Sequence, residues 1–256
     1  MRFRNSPSAT KRRARNRSFF THFVMGLGLA IASLCMQALE GQAVLIDSGD
    51  GSGNISAPSN DPGFGHVANI KGLAGVYLQN GWVLTAHHVG NGEVELNGVT
   101  YDYVPGSFQR VPSSQGDLPD LALIKIVAPP DLATMDLATQ TPSTSAELVL
   151  IGNGRSRGSS LTWSGLGGWN YAYPFIKRWG TNRISDSSTT LYDTEAFSME
   201  FNDPGDSTYT VHESIATLGD SGGGVFHETV GGWVLAGTMF ATSKRQNCRH
   251  KNEWQS

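Results

Sequence analysis

The sequence has little cysteine, little charge and almost no long helical patterning. Cys35 and Cys248 are the only cysteines in 256 residues, and they lie near opposite ends. An internal disulfide framework is therefore excluded from the body of the chain, which must hold its fold by core packing alone. Long amphipathic helical patterns are scarce while glycine is abundant, at 31 residues. Together these features exclude a helix bundle and favour short strands joined by turns. No cluster with metal-ligand spacing occurs. Gly152-Asn153-Gly154 lacks the further glycine and helix that a phosphate cradle needs. No metal or other cofactor is expected.

The N-terminal 43 residues have the layout of a secretory signal peptide. Arg2, Arg4, Lys11, Arg12, Arg13, Arg15 and Arg17 form a basic region without an acid, residues 23–39 are mostly apolar, and Gly41-Gln42-Ala43 offers small residues for cleavage. The apolar core is short for a membrane span and ends at Glu40. Leu34 stands before Cys35 where a lipoprotein signal carries a small residue. The expectation is a secreted, periplasmic or cell-surface protein without stable membrane association after cleavage. Removing residues 1–43 takes seven of the 19 basic and one of the 22 acidic residues, leaving a formal charge of −9. So acidic a chain is a poor binder of nucleic acid or anionic membrane.

The length suits one large all-β unit or two small domains. Residues 44–65, rich in Gly, Ser, Asn and Asp, read as an exposed lead-in; 47–53 lacks the Glu that would close a calcium loop and reads as a flexible linker. Strands are expected at 66–70, 74–78, 82–85, 93–97, 99–104 and 121–127, with hairpin turns at Asn80-Gly81 and near Asn97-Gly98. These make an N-terminal barrel over 66–127. Residues 128–146, rich in Pro, Thr, Ser and Ala, read as a linker. Strands at 147–151, 190–192, 196–202, 223–227 and 233–239 make a C-terminal barrel over 147–242. Residues 243–256 are an atypical polar, basic tail with no strand or helix face.

Three local patterns carry chemistry. Leu218-Gly219-Asp220-Ser221-Gly222-Gly223-Gly224 places a Ser in a turn whose glycines let the backbone fold tightly and gather N–H groups near one point. Such a turn can present a hydroxyl and aim amide donors at a developing oxyanion. Upstream lie Leu84-Thr85-Ala86-His87-His88-Val89 and Asp120-Leu121-Ala122-Leu123-Ile124-Lys125. A Ser hydroxyl needs a base near its free pKa, which imidazole supplies, and a carboxylate orients that imidazole.

In this order the three segments resemble the marks of the trypsin/chymotrypsin-like serine peptidases: a T-A-A-H-C-like site, a D-I-A-L-like site and G-D-S-G-G. The resemblance implies an all-β fold of two antiparallel β-barrels with the active site between them. It implies an exported serine endopeptidase, monomeric, acting on peptide or protein substrates through an acyl-enzyme. By motif register Ser221 is the nucleophile, His88 the base and later acid, and Asp120 the orienting carboxylate, with the N–H groups of Gly219 and Ser221 as oxyanion hole. His87 is a departure from the family pattern, as is Val89 where disulfide-bearing members carry Cys. Asp117 belongs to the preceding turn.

Further expectations follow from the same register. In the family the Asp before the Ser pairs with a freed N-terminal amine. Here that is Asp220, and either the Val44 amine produced by signal cleavage or internal donors could satisfy it. The pocket floor falls at Ile215 and Ala216, with Thr238 and Phe240 on the far wall. Thr238 could hydrogen-bond the triad carboxylate, and Phe240 would narrow the pocket. No carboxylate is placed to receive Lys or Arg, so cleavage after small or medium apolar residues is expected. The missing C-terminal strand and helix of the family put closure of the second barrel in question. Two alternatives stay open: an esterase using the same triad, and a non-catalytic binding module on a peptidase scaffold.

Overall fold

The computed structural model describes residues 44–163, 166–173, 175–242 and 254–255. The expected signal segment and most of the polar tail lie outside the described residues. The strands are β1 (Leu45–Ile46), β2 (Val67–Ile70), β3 (Leu73–Gln79), β4 (Trp82–Thr85), β5 (Val94–Leu96), β6 (Val99–Tyr101), β7 (Gln109–Arg110), β8 (Ala122–Lys125) and β9 (Glu147–Gly152). They continue with β10 (Ser156–Trp163), β11 (Leu166–Ala172), β12 (Arg178–Leu191), β13 (Thr194–Met199), β14 (Ser214–Ile215), β15 (Gly224–Thr229), β16 (Gly232–Thr238), β17 (Ala241–Thr242) and β18 (Trp254–Gln255). Two seven-stranded sheets, ordered β6-β5-β2-β3-β4-β8-β7 and β16-β15-β9-β12-β13-β18-β17, curl into two half-barrels of the chymotrypsin-like type. Their strand pairings are antiparallel.

The hairpin chemistry read from the sequence sets the first sheet. Asn80 and Gly81 adopt φ of 51° and 85°, and Asn97 and Gly98 adopt 52° and 79°. These left-handed values are what a two-residue turn requires between right-twisted strands. Ala68, Ile70, Tyr77, Val83, Ile124 and Ile126 fill the interior of this half, while Val67, Ala74 and Val76 pack against Val149, Ile151 and Phe226 of the second sheet.

The second half departs further from expectation. The hairpin β10–β11 and the fourteen-residue β12 fall where few strands were expected. Most buried side chains of β12 are polar: Arg178, Thr181 and Asn182 are buried alongside the apolar Ile184. Asn182 Nδ2 donates to the carbonyls of Ser214 (2.7 Å) and Glu200 (2.9 Å), and Thr181 Oγ1 donates to Thr210 Oγ1 (2.8 Å). Buried polar groups are tolerated where such partners exist. The tail also departs from its reading, because its residues 254–255 form β18 between β13 and β17.

Residues 44–65 are not a free lead-in. Val44, Leu45 and Ile46 are buried, and β1 pairs with β14. Arg157 Nη1 donates to the Asp47 carbonyl (2.8 Å), its Nη2 to that of Gly49 (3.1 Å), and Arg178 Nη1 donates to the Gly53 carbonyl. Asn54 and Trp179 exchange hydrogen bonds of 3.0 and 3.1 Å. The glycine- and serine-rich composition marked turns, but those turns expose carbonyls that the half-buried Arg157 and the buried Arg178 capture.

One side chain ties the two sheets together. Asn153, 4% exposed, follows β9 and donates through Nδ2 to the Ala68 carbonyl (2.6 Å) and more weakly to that of Leu73 (3.4 Å). Asn153→Ala is expected to lower stability by about 1–3 kcal/mol, because the carbonyl it serves is left unpaired. An unchanged urea midpoint would show that the tie is not needed.

Candidate active site

Strands β4 and β8 are antiparallel neighbours, with Thr85 opposite Ala122. The residues just past β4 and just before β8 therefore meet at one end of the pair. His88 lies on a 3-10 turn over His87–Val89, and Asp120 lies two residues before β8. His88 Nδ1 is 2.6 Å from Asp120 Oδ2, and the His88 backbone N–H donates to Oδ1 at 2.9 Å. The Asp120 N–H donates to Thr194 Oγ1 (2.9 Å), anchoring this loop to the second sheet. Burial pushes the Asp120 carboxyl up, but the His88 hydrogen bonds outweigh it and hold the pKa below the ordinary value.

His87 points elsewhere. Its ring stacks on Phe108 with centroids 5.4 Å apart. Strand alternation would separate the two imidazoles by pointing them to opposite faces. The observed cause is the turn, whose tight winding rotates successive side chains apart.

Ser221 comes from the second sheet's side, in the turn leading into β15. Its carbonyl accepts the Ala74 N–H at 2.8 Å, which seats the turn on β3 of the first sheet. Gly222, at φ 84°, fits there because a Cβ would collide with the Ala74 carbonyl and Thr85 Oγ1. The turn closes through Asp220 N–H to the Thr217 carbonyl (3.1 Å), Gly223 N–H to that of Asp220 (2.8 Å) and Gly222 N–H to that of Met239 (2.7 Å). Among the described residues, the N–H groups of Gly219 and Ser221 have no acceptor.

Asp220 is fully buried beneath this turn. Oδ1 accepts the Gly154 N–H (2.7 Å), and Oδ2 accepts the Thr217 N–H (2.5 Å) and Oγ1–H (3.1 Å). The Val44 backbone N–H reaches the same carboxylate. Burial pushes its pKa up to about 6 against the pull of these donors. Gly152 and Gly154 are required by the contact, since a Cβ at either would strike the carboxylate oxygens.

A cavity of about 180 Å³ is lined by His88, Ala216, Thr217, Leu218, Asp220, Ser221 and residues 239–242. It thus brings together His88 and Ser221 with Ala216 and Phe240. Ile215 and Thr238 fall outside this lining. Ile215 is drawn into the core by the pairing of β14 with β1, where it packs with Val44 and Leu45. Thr238 instead borders a second groove, of about 370 Å³, shared with Asp120 and Thr194. The hydrogen bonds of the Asp120 carboxylate among the described residues come from His88, and Thr238 supplies none. Sequence reasoning missed Thr194, Thr217 and Leu218. Only the fold brings Thr194 to Asp120, but Thr217, four residues before Ser221, was open to suspicion.

The comparisons agree with this architecture. The sequence profile of the trypsin-like peptidase domain matches residues 73–234, more than half of the chain. A mutant of human heparin-binding protein is similar in fold at 14% identity, covering 80% of this chain and 89% of that one, with a TM-score of 0.54. The active form of the Rv3671c protease from M. tuberculosis matches at 16% identity over 80% and 86%, with a TM-score of 0.49. The NS6 protease of murine norovirus 1 matches at 16% over 78% and 92%, with a TM-score of 0.46. No curated protein matches the chain in sequence. The chain belongs to the trypsin-like peptidase family and is a serine endopeptidase, a hydrolase of peptide bonds.

Proposed function

We propose that Ser221, His88 and Asp120 form the catalytic triad of an exported endopeptidase. The observation that carries this reading is the 2.6 Å contact of His88 Nδ1 with Asp120 beside a cavity that His88 and Ser221 share. Asp120 accepts the Nδ1 proton, which leaves Nε2 free as base. Nε2 takes the Ser221 hydroxyl proton as Oγ attacks the substrate carbonyl carbon. The tetrahedral oxyanion is met by the N–H groups of Gly219 and Ser221. As the C–N bond breaks, His88 returns the proton to the leaving amine, and an acyl-enzyme remains. Water, deprotonated by His88, attacks the ester carbon; as the C–Oγ bond breaks, His88 returns that proton to Ser221 Oγ and the acid is released.

Covalent labelling by a fluorophosphonate, read by intact mass, tests the nucleophile. One adduct is expected on the chain beginning at Val44 and none on Ser221→Ala. An adduct that survives the substitution would place the nucleophile elsewhere. Asp120→Asn should lower kcat by about 10⁴-fold through the wrong imidazole tautomer.

Specificity follows from the cavity. It is small and bounded by Ala216, Met239, Phe240 and Ala241, and the Asp220 carboxylate is occupied by backbone donors. Cleavage after small or medium apolar residues is the expected outcome of a cleavage-site survey. Arg or Lys at that position would contradict it.

Export and activation are one event in this reading. Cleavage after Ala43 would convert the Val44 N–H, already at Asp220, into an ammonium beside the buried carboxylate. In the uncleaved chain the Asp220 pKa is about 6 folded against 3.8 as the reference. The folded state therefore binds the proton more tightly. Its contribution to stability is complete below about pH 4 and is lost as pH rises through about 6. A neighbouring ammonium lowers the carboxyl pKa and removes that loss. Between pH 4.5 and 7.5, a chain extended by one residue before Val44 should lose several degrees more in Tm than the chain starting at Val44, and should be inactive. Equal pH profiles and equal activity would mean that internal donors suffice.

A further inference from the structure

Phe175 lies between β11 and β12, and its ring covers Gly219. A Cβ on Gly219 would meet Phe175 Cε1 at 2.6 Å and Cδ1 at 2.8 Å. The residue is 37% exposed and takes no part in the small cavity beside Ser221. Its ring stands edge-on to Tyr173, with centroids 5.6 Å apart at 84°. The Arg155 guanidinium lies 4.6 Å from the Tyr173 centroid and 6.0 Å from that of Phe175, and Nη2 donates to Tyr173 Oη at 2.6 Å.

This group is fastened to the serine turn by backbone. The Arg155 N–H bonds to the Leu218 carbonyl (3.0 Å) and to Thr217 Oγ1 (2.7 Å), and Thr217 Oγ1 donates to the Arg155 carbonyl (2.9 Å). Arg155 has no carboxylate partner among the described residues, and its Nε is buried without an acceptor. A cation thus lies against two aromatic rings next to the oxyanion turn, and its Nη1 makes no hydrogen bond among the described residues. A guanidinium restrained by stacking loses little freedom when it takes a carboxylate.

A substrate with its acyl side chain in the cavity and its carbonyl oxygen at Gly219 and Ser221 must send its leaving half across the other flank of the turn. That path passes the ring on Gly219. We infer that Phe175, Tyr173 and Arg155 form a subsite for the leaving half of the substrate and that it takes a residue with a carboxylate side chain. Phe175 walls the aliphatic part of that residue, and Arg155 meets the carboxylate. The inference rests on Ser221 and Gly219 having the roles proposed above. The site is open to water, so the effect is about two- to fivefold in rate.

The test uses the chain beginning at Val44 and substrates that share one acyl half. One is an activated ester with a small leaving group. The others are peptides extended beyond the scissile bond by aspartate, asparagine or lysine. Expected kcat/KM falls in that order, with aspartate about two- to fivefold above asparagine. Arg155→Gln should erase the aspartate preference and leave ester hydrolysis unchanged. Phe175→Ala should slow every extended peptide severalfold and spare the ester. Absence of an aspartate preference in the parent overturns the proposal. So does a fall in ester rate that parallels the peptides in both variants, because the residues would then only brace the oxyanion turn. A parent that neither hydrolyses the ester nor takes up a fluorophosphonate overturns the nucleophile assignment and this proposal with it, a result distinct from an active parent without preference.

Discussion

A carboxylate without access to water organises this molecule. Asp220 draws donors from three separated segments: Val44 at the start of the described chain, Gly154 after β9, and Thr217 in its own turn. A buried carboxylate is costly unless its oxygens are hydrogen-bonded. Each donor must therefore sit where the carboxylate needs it. The glycines at 152 and 154 exist to allow that approach. The turn carrying Ser221 is built directly on this carboxylate, so its shape is decided by burial electrostatics.

The site is divided between the two sheets. One sheet supplies His88 and Asp120 through the pairing of β4 with β8, and the other supplies the Ser221 turn. Hydrogen-bonded ties hold the halves in register, among them Ala74 to Ser221, Asn153 to Ala68, Asp120 to Thr194 and Lys177 to Val67. Each uses a backbone group on at least one side, which fixes position more tightly than contact between flexible side chains. A reaction that depends on a proton moving between Ser and His needs such fixed placement.

The N-terminal strap, residues 44–54, joins this network through the Val44 N–H at Asp220. It is held by the half-buried Arg157 and by Arg178, whose charge lies out of water. Burial lowers the Arg178 pKa to about 10, and its guanidinium faces a carbonyl of the strap while Asp50 and Asp220 draw its charge from further off. The strap is thus fastened by hydrogen bonds to main-chain carbonyls, which any sequence of small residues could offer. Its composition reads as an exposed lead-in for that reason.

What was legible in the sequence was whatever is encoded locally. The two Asn-Gly turns appear as hairpin turns because positive φ is a property of those residues themselves. Apolar alternation located β2 to β5, β8 and β9, and the three motif segments placed His88, Asp120 and Ser221 in family register. β12 was largely illegible because most of its buried side chains, Arg178, Thr181 and Asn182, are polar, and their acceptors lie on segments far away in sequence. Ile215 illustrates the same limit at the site. Only the pairing of β14 with the distant β1 turns it into the core and leaves Ala216 in the cavity. The sequence by itself determined the turns, most apolar strands and the three motif segments that carry His88, Asp120 and Ser221, because these depend on residues and their near neighbours. The tertiary structure alone decided which buried polar groups find partners and which neighbour faces the cavity, because those depend on segments that meet only in the fold.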